Sequence, residues 1–289
     1  MPSPSDPVAI SVFGFEIRWY ALFILTGVVS AIALIRWIAR KRGLDREFPI
    51  DAAPWIVLPA AIGARLYYLM LSPGYYFDNP GEAIDVRLGG LAVHGALAGG
   101  AIGLFVYCRH RNQRFLTWGD LIIAAVPLGQ AIGRWGNWAN QEAFGTPSSL
   151  PWAVEIDPGN RPRAYAEFES FHPAFLYESV LNLLIAAALV MVVLRMPGSR
   201  WWREGDAIWI FAVMYGTVRF AIESIRTDSL YIGPLPAAYW LSWGLIAFGI
   251  VMLIARRSIW PGRFIESNGV FHSTESVPQS SLSAQDSSE

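Results

Sequence analysis

The sequence predicts an all-α polytopic integral membrane protein of seven transmembrane helices, with the N-terminus outside, the C-terminus cytoplasmic and a small outer cap between spans 4 and 5. Three observations predict it. The 289 residues are 54% apolar and only 16% charged, against the ~25% charged of a soluble domain. Apolar runs near the ~20 residues needed to cross a ~30 Å hydrocarbon core recur along the chain. Lys and Arg gather in alternate connections, as short cytoplasmic loops require. The net charge of −1 is a cancellation of segregated charges and gives no reason to expect a nucleic-acid partner. Cys108 is the only cysteine, which excludes an intrachain disulfide and a cysteine-rich metal site. It reads as a small buried apolar residue near the end of a span.

Residues 1–19 form an outer N-terminal segment without the basic region and small-residue cleavage site of a secretory signal, so the first run, Tyr20–Ile38, reads as a retained span. The others are Ile50–Leu71, Leu91–Tyr107, Leu116–Ile132, Ala174–Leu194, Asp206–Ile222 and Tyr239–Ile254. Together they make one membrane domain, 20–263. The fourth connection, 133–172, carries Pro147, Pro151, Pro158 and Pro162, with Pro173 just after it, and mixed charges, and reads as an ordered outer cap with a signature loop. The Ser-rich segment 264–289 reads as a disordered cytoplasmic tail. Arg36, Arg40, Lys41, Arg42, Arg46, Arg109, Arg111, Arg114, Arg195, Arg200, Arg203, Arg256, Arg257 and Arg263 fall on one side of such a layout, which sets the orientation. The other eight basic residues lie toward the outer side, against the usual bias, and need a reason.

Arg65 lies inside an apolar run, at a cost of ~2.5–3.5 kcal/mol for a lipid-exposed helix centre. It either faces a partner or snorkels to the headgroups. Tyr215, Arg219, Glu223 and Arg226 are spaced four, four and three apart and share a helix face. The Arg219/Glu223 pair alone reads as a structural ion pair, but a second arginine on the stripe leaves positive charge for an anion. The densest cluster is Gly133-Arg134-Trp135-Gly136-Asn137-Trp138-Ala139-Asn140-Gln141-Glu142-Ala143-Phe144-Gly145. A continued helix would align Arg134, Asn137 and Gln141, and an arginine fork matches phosphate oxygens. His94 reads either as a structural residue or as a base held neutral by nearby arginines. His172, before Pro173, reads as structural, with Tyr177 and Glu178 one turn into the next helix. Neither an H-E-x-x-H pair nor a G-x-S-x-G elbow is present. Metal hydrolysis and serine hydrolysis are both disfavoured, and no metal or other cofactor is expected.

These blocks resemble the bacterial prolipoprotein diacylglyceryl transferase family. The match rests on Gly133-Arg134-x-Gly136-Asn137-x-x-Asn140-x-Glu142-x-x-Gly145, with Trp19-Tyr20, Gly63-x-Arg65, His94-Gly95, His172-Pro173, Leu176-Tyr177-Glu178 and Tyr215-Gly216-x-x-Arg219 followed by Glu223 and Arg226, all in family order. The chain departs from the family where His94-Gly95-Ala96 replaces the usual His-Gly-Gly, where Gln141 stands in place of a frequent Gly, and at Ala174 and Phe175, where a hydroxyl residue and Gln are common.

The resemblance implies a transferase of the bacterial inner membrane, its active site toward the outer face. It would move the diacylglyceryl group of phosphatidylglycerol to the lipobox cysteine of a prolipoprotein signal peptide, releasing glycerol phosphate, as the first step of lipoprotein maturation. Its partners would be membrane lipid and those signal peptides. The implied catalytic residues are His94, Tyr20, Arg134 and Arg219, with His94 as base and Tyr20 as competitor. Arg134, Asn137, Gly145 and Arg219 would bind phosphatidylglycerol. Glu142, Asn140, Glu223, Arg65 and Arg226 would support them, Glu142 and Glu223 by holding the arginines. The rival class is a transporter or channel for an anionic solute or lipid with Arg65, Arg134 and Arg219 along its path. It would want basic side chains at several depths and a repeat, and the chain shows no internal repeat.

Overall fold

The computed structural model describes residues 1–2, 4, 6–12, 15–71, 73–83, 92–199 and 201–258. The expected disordered tail lies outside the described residues, as does Leu91 at the start of the third run. Among the described residues seven long helices follow the apolar runs: α1 Trp19–Lys41, α2 Phe48–Leu71, then after a short α3 Pro73–Asp78, α4 Val93–His110, α5 Phe115–Ala139, α6 Ala174–Arg195, α7 Asp206–Glu223 and α8 Ala237–Ser258. Five of them, α1, α2, α5, α6 and α8, are long and apolar enough to cross a membrane. Large apolar side chains such as Leu25, Leu58, Ile62, Met70, Leu97, Ile102 and Leu184 are exposed on the bundle's flanks, the surface of a protein solvated by lipid. The chain is thus mostly helical, with multi-pass membrane character. Among the described residues three antiparallel strand pairs accompany the helices: β1 Val8–Val12 with β2 Phe15–Arg18, β3 Val154–Glu155 with β4 Ser170–Phe171, and β5 Tyr231–Ile232 with β6 Leu235–Pro236.

Helix α5 is central, packing on α1, α4, α6 and α7, while α2 pairs with α4 and α7 with α8. The α2–α4 pair is built on glycine. Gly95, Gly99 and Gly103 recur every fourth residue along one face of α4. A Cβ there would lie 2.0 Å from Gly63 O, 2.0 Å from Pro59 O and 1.8 Å from Trp55 O. Backbones approach this closely only without side chains, the small-xxx-small principle of membrane helix pairs. Pro59 has no N–H for the carbonyl four residues earlier, and that carbonyl, Trp55 O, is the one against Gly103. Gly99→Ala is therefore expected to cost about 1–3 kcal/mol through forced separation, read as a lower melting temperature in detergent. Gly100→Ala, whose Cβ would meet Ile56 and Ala60 at an ordinary 3.5–3.6 Å, should leave the melt unchanged. Equal melts for the two variants would refute the seam.

The two ends of the bundle differ. At one end Phe48 stacks on Trp118, ring centroids 3.8 Å apart, in a core with Ile38, Leu121, Leu189 and Met196. There Asp120 on α5 accepts the Gly205 and Ala207 N–H groups at 2.6 and 3.1 Å, satisfying free donors at the start of α7. Asp206 is fully buried and pairs with Arg256 and Arg257 at 3.3 and 3.4 Å, and Arg114 pairs with Glu204 at 2.9 Å. At the other end the α5–α6 connection folds into a cap with its own small core of Phe144, Val154, Ile156, Phe171 and Phe175.

Two expectations about the α5 end are corrected. The helix runs past Ile132 to Ala139, so Arg134 and Asn137 are helical residues and not part of the cap. It then stops, with Gln141 at φ 52, so Arg134, Asn137 and Gln141 do not form one continued stripe. The stop is a double hydrogen-bonded turn: Gln141 N–H donates to Trp138 O at 3.2 Å and Glu142 N–H to Asn137 O at 2.9 Å, a Schellman cap.

Candidate functional site

The site lies at the cap end, where α5, α6 and α7 each contribute a charge. Glu178, in the first turns of α6, is only 4% exposed and takes three guanidinium groups. Arg134 Nη2 on α5 lies 2.5 Å from Glu178 Oε2. Arg226 Nη1, just beyond α7, donates to Oε1 at 3.0 Å, and Arg219 Nη1 on α7 stands 4.0 Å from that same oxygen. Arg219 is held in turn by Glu223 at 2.6 Å, one helical turn on, the close pairing that i,i+4 spacing provides. Arg226 also makes a forked pair with Asp228 at 2.9 and 2.6 Å. Burial alone would lower the Arg226 pKa, but its hydrogen bond to Asp228 and the charges of Asp228 and Glu178 outweigh burial and leave it raised. That guanidinium stays charged.

Three arginines thus meet two buried carboxylates, Glu178 and Glu223, while Asp228 is about half exposed and well screened. With Asp228 counted the three charges are formally balanced; among the described residues Arg134 has no carboxylate but the shared Glu178, which makes it the guanidinium left to meet an anion. The stripe expected along Tyr215, Arg219, Glu223 and Arg226 does present both arginines to one point. In the sequence Glu178 reads only as part of a helix start. The signal for its role was an acidic side chain one turn into an apolar run, which is as costly as an arginine there and calls for partners.

Arg134 also faces a groove. A cavity of about 450 Å³ runs between α1 and α5, with Tyr20, Arg134 and Asn137 at one end, Ile24, Val28 and Ala31 along its length and Gln130 part-way down. Glycine makes this pair close as well: a Cβ on Gly27 would be 2.9 Å from Gly129 O, and one on Gly136 would be 2.6 Å from Tyr20 Cδ2. Gly136 therefore seats the Tyr20 ring beside Arg134 and Asn137.

The signature loop completes the end of the site. Asn137 Nδ2 and Asn140 Nδ2 both donate to Glu142 Oε1, at 3.1 and 3.2 Å. Among the described residues Glu142 holds no arginine, contrary to expectation: the loop turns it back onto the two amides, and Glu178 supplies the carboxylate for Arg134. Gly145 is the crossing point of three segments. Its N–H donates to His172 O at 2.9 Å, it bridges to Arg226, and a Cβ would lie 2.8 Å from His172 Cβ. Thr146 N–H donates to Ile225 O at 2.7 Å, stitching loop to helix end. Trp152 Nε1 donates to the Tyr177 hydroxyl at 3.0 Å, which lies 3.3 Å from His172 Nδ1, a setting that suits the structural reading of His172.

Two expected residues stand apart from the arginine cluster. His94 is exposed in the first turn of α4, its ring centroid 5.8 Å from that of Tyr67. Arg65 is buried and does not snorkel into water. It donates to Ala83 O at 2.9 Å and Glu82 O at 2.6 Å and lies over the Tyr76 ring, so it clamps the chain between α2 and α4. Cys108 is buried. Among the described residues no group of three His, Cys, Asp or Glu side chains could hold a metal.

The chain matches the family model described as prolipoprotein diacylglyceryl transferase over residues 7–255. It is 39% identical over 249 residues to the phosphatidylglycerol–prolipoprotein diacylglyceryl transferase of Finegoldia magna, covering 86% of this chain and 95% of that protein. It is similarly 39% identical to the proteins of that name from Synechococcus elongatus, with 86% of each chain covered, and Gloeobacter violaceus, with 87% and 94% covered.

Proposed function

Because the chain belongs to the prolipoprotein diacylglyceryl transferase family, we propose that it moves the diacylglyceryl group of phosphatidylglycerol to the thiol of a prolipoprotein lipobox cysteine, and that the Glu178-centred arginine cluster is where it does so. The observation that carries the site assignment is Arg134, which belongs both to the buried charge cluster and to the polar end of the α1–α5 groove. Family membership favours this transferase over a transporter or channel.

In the reaction the cysteine sulfur loses a proton and forms a bond to the glyceryl carbon, while the carbon–oxygen bond to phosphate breaks. Glycerol phosphate leaves with the electron pair and one more negative charge than the diester carried. Arg134 and Arg219 are in place to balance that charge as it develops, and Asn137 lies at the groove's polar end to orient the headgroup. Glu223 holds Arg219, and Glu178 keeps the three guanidiniums together. The apolar length of the groove suits an acyl chain. The thiol proton needs an acceptor. His94 is the base that the resemblance implies, although it makes no contact with the cluster; Tyr20, which lines the groove beside Arg134, is the competitor.

Seven spans with the N-terminus outside fit the seven long helices. The two shortest, α4 and α7, have 18 residues each, about 27 Å of helix against a ~30 Å core. That layout places the cap and the arginine cluster at the outer face of a bacterial inner membrane, and the Asp120–Asp206 end in the cytoplasm with the larger group of basic residues.

The test is to incubate the purified protein with phosphatidylglycerol and a lipobox peptide, alongside a peptide with serine in place of cysteine. The cysteine peptide is expected to gain a diacylglyceryl thioether with stoichiometric release of glycerol phosphate. No shift and no release would refute the proposal. His94→Asn is expected to lose about 10²–10⁴ in kcat at neutral pH and to recover part of it as pH rises toward the thiol pKa of ~8.5. Near-normal turnover of His94→Asn, with Tyr20→Phe inactive, would move the base to Tyr20.

A further inference from the structure

Gln141 occupies a position whose backbone favours glycine. Its φ of 52 is the left-handed conformation that closes the α5 Schellman cap, and side chains other than Gly and Asn rarely adopt it. The residue is nonetheless only 6% exposed, and its amide is spent on the cap. Nε2 donates to Asp157 Oδ2 at 2.7 Å and, more weakly, to Pro4 O at 3.5 Å. Oε1 accepts the Asp157 N–H at 2.7 Å and Asn160 Nδ2 at 3.2 Å. The same turn fixes Glu142, because the Glu142 N–H to Asn137 O bond is half of the Schellman cap, and Glu142 then takes the amides of Asn137 and Asn140.

We infer that Gln141 is a positioning residue for the transfer reaction: its amide latches the cap at Asp157–Asn160 to the end of α5 and so holds the Asn137–Glu142 pair in register with Arg134. A glycine here would make the same turn at no backbone cost but would leave the cap unlatched. The side chain turns a strained backbone position into a fastening between catalytic loop and cap. The latch sets the geometry of the loop and leaves the affinity for anion to Arg134 and Arg219.

This inference rests on the transferase reading, and its test separates the two. In the phosphatidylglycerol and lipobox-peptide assay, Gln141→Gly is expected to lower kcat about tenfold to a hundredfold, the scale of a small misplacement near reacting groups. KM for phosphatidylglycerol should change little. Asp157→Ala cuts the latch from the cap side without touching the α5 turn and should give the same split. Gln141→Glu sets two carboxylates against each other and should also lose kcat. Combining it with Asp157→Asn exchanges amide and carboxylate across the contact and should return most of that loss, a rescue that a merely space-filling role would not produce. Parent-like kcat for Gln141→Gly in an active protein would overturn the latch alone, as would a double exchange no better than Gln141→Glu. A parent protein that transfers nothing would overturn the transferase reading and, with it, this role.

Discussion

Arg134→Gln is expected to lower kcat by about 10²–10³-fold, the loss seen when one preorganised group opposite a developing charge is removed. Arg134 is singled out because it does two things at once. It pairs with Glu178 at 2.5 Å, and it reaches the groove shared with Tyr20 and Asn137. Arg226 also pairs with Glu178 but is taken by Asp228 as well, so Arg226→Gln should cost less in kcat. Lysine at 134 should not restore the rate, since an ammonium offers no planar fork to a phosphate. Steady-state kinetics with the cysteine peptide measure all three. An Arg134→Gln variant within a few-fold of the parent would remove the cluster from the chemistry.

Glu178→Gln is expected to cost about 3 kcal/mol of stability, the low end for breaking a buried ion pair. The low end applies because Arg219 keeps Glu223 and Arg226 keeps Asp228, leaving only Arg134 without its carboxylate. Two comparisons make this specific to charge. The double variant Arg134→Gln, Glu178→Gln should melt higher than Glu178→Gln alone, a positive coupling between the two sites. Added glycerol phosphate should raise the melting temperature of Glu178→Gln more than that of the parent, because the anion takes the place of the missing carboxylate. A neutral substitution at 178 that leaves the melt unchanged would mean that the three guanidiniums do not depend on it.

Apolar runs located the long helices to within a few residues, the far end of α5 excepted, since a span's length and apolarity are local properties. It also found Arg134, Arg219, Glu223 and Arg226, whose charge is conspicuous against an apolar background. Glu178 was harder, because its meaning lies in three arginines drawn from positions 134, 219 and 226, and spacing within α6 says nothing about them. The end of α5 is hidden from sequence for a related reason. Residues 133–141 have helical spacing, and only the tertiary contacts of Gln141 with Asp157 and Asn160 explain why a non-glycine ends the helix. Arg65 was ambiguous in sequence because its acceptors, the carbonyls of Glu82 and Ala83, are backbone atoms that any residue could have provided.

The α1–α5 groove extends from Tyr20 to Ala31, eleven residues along a helix and so about 16 Å, roughly half of a ~30 Å hydrocarbon core. That length matches the depth of one leaflet. On the transferase reading, a phospholipid whose phosphate reaches Arg134 would lay a tail along this groove, and the donor would then enter from the flank of the bundle. Small substitutions at Gly27 or Gly129, remote from any reacting atom, would then act as a gate on lipid entry and not on bond-making.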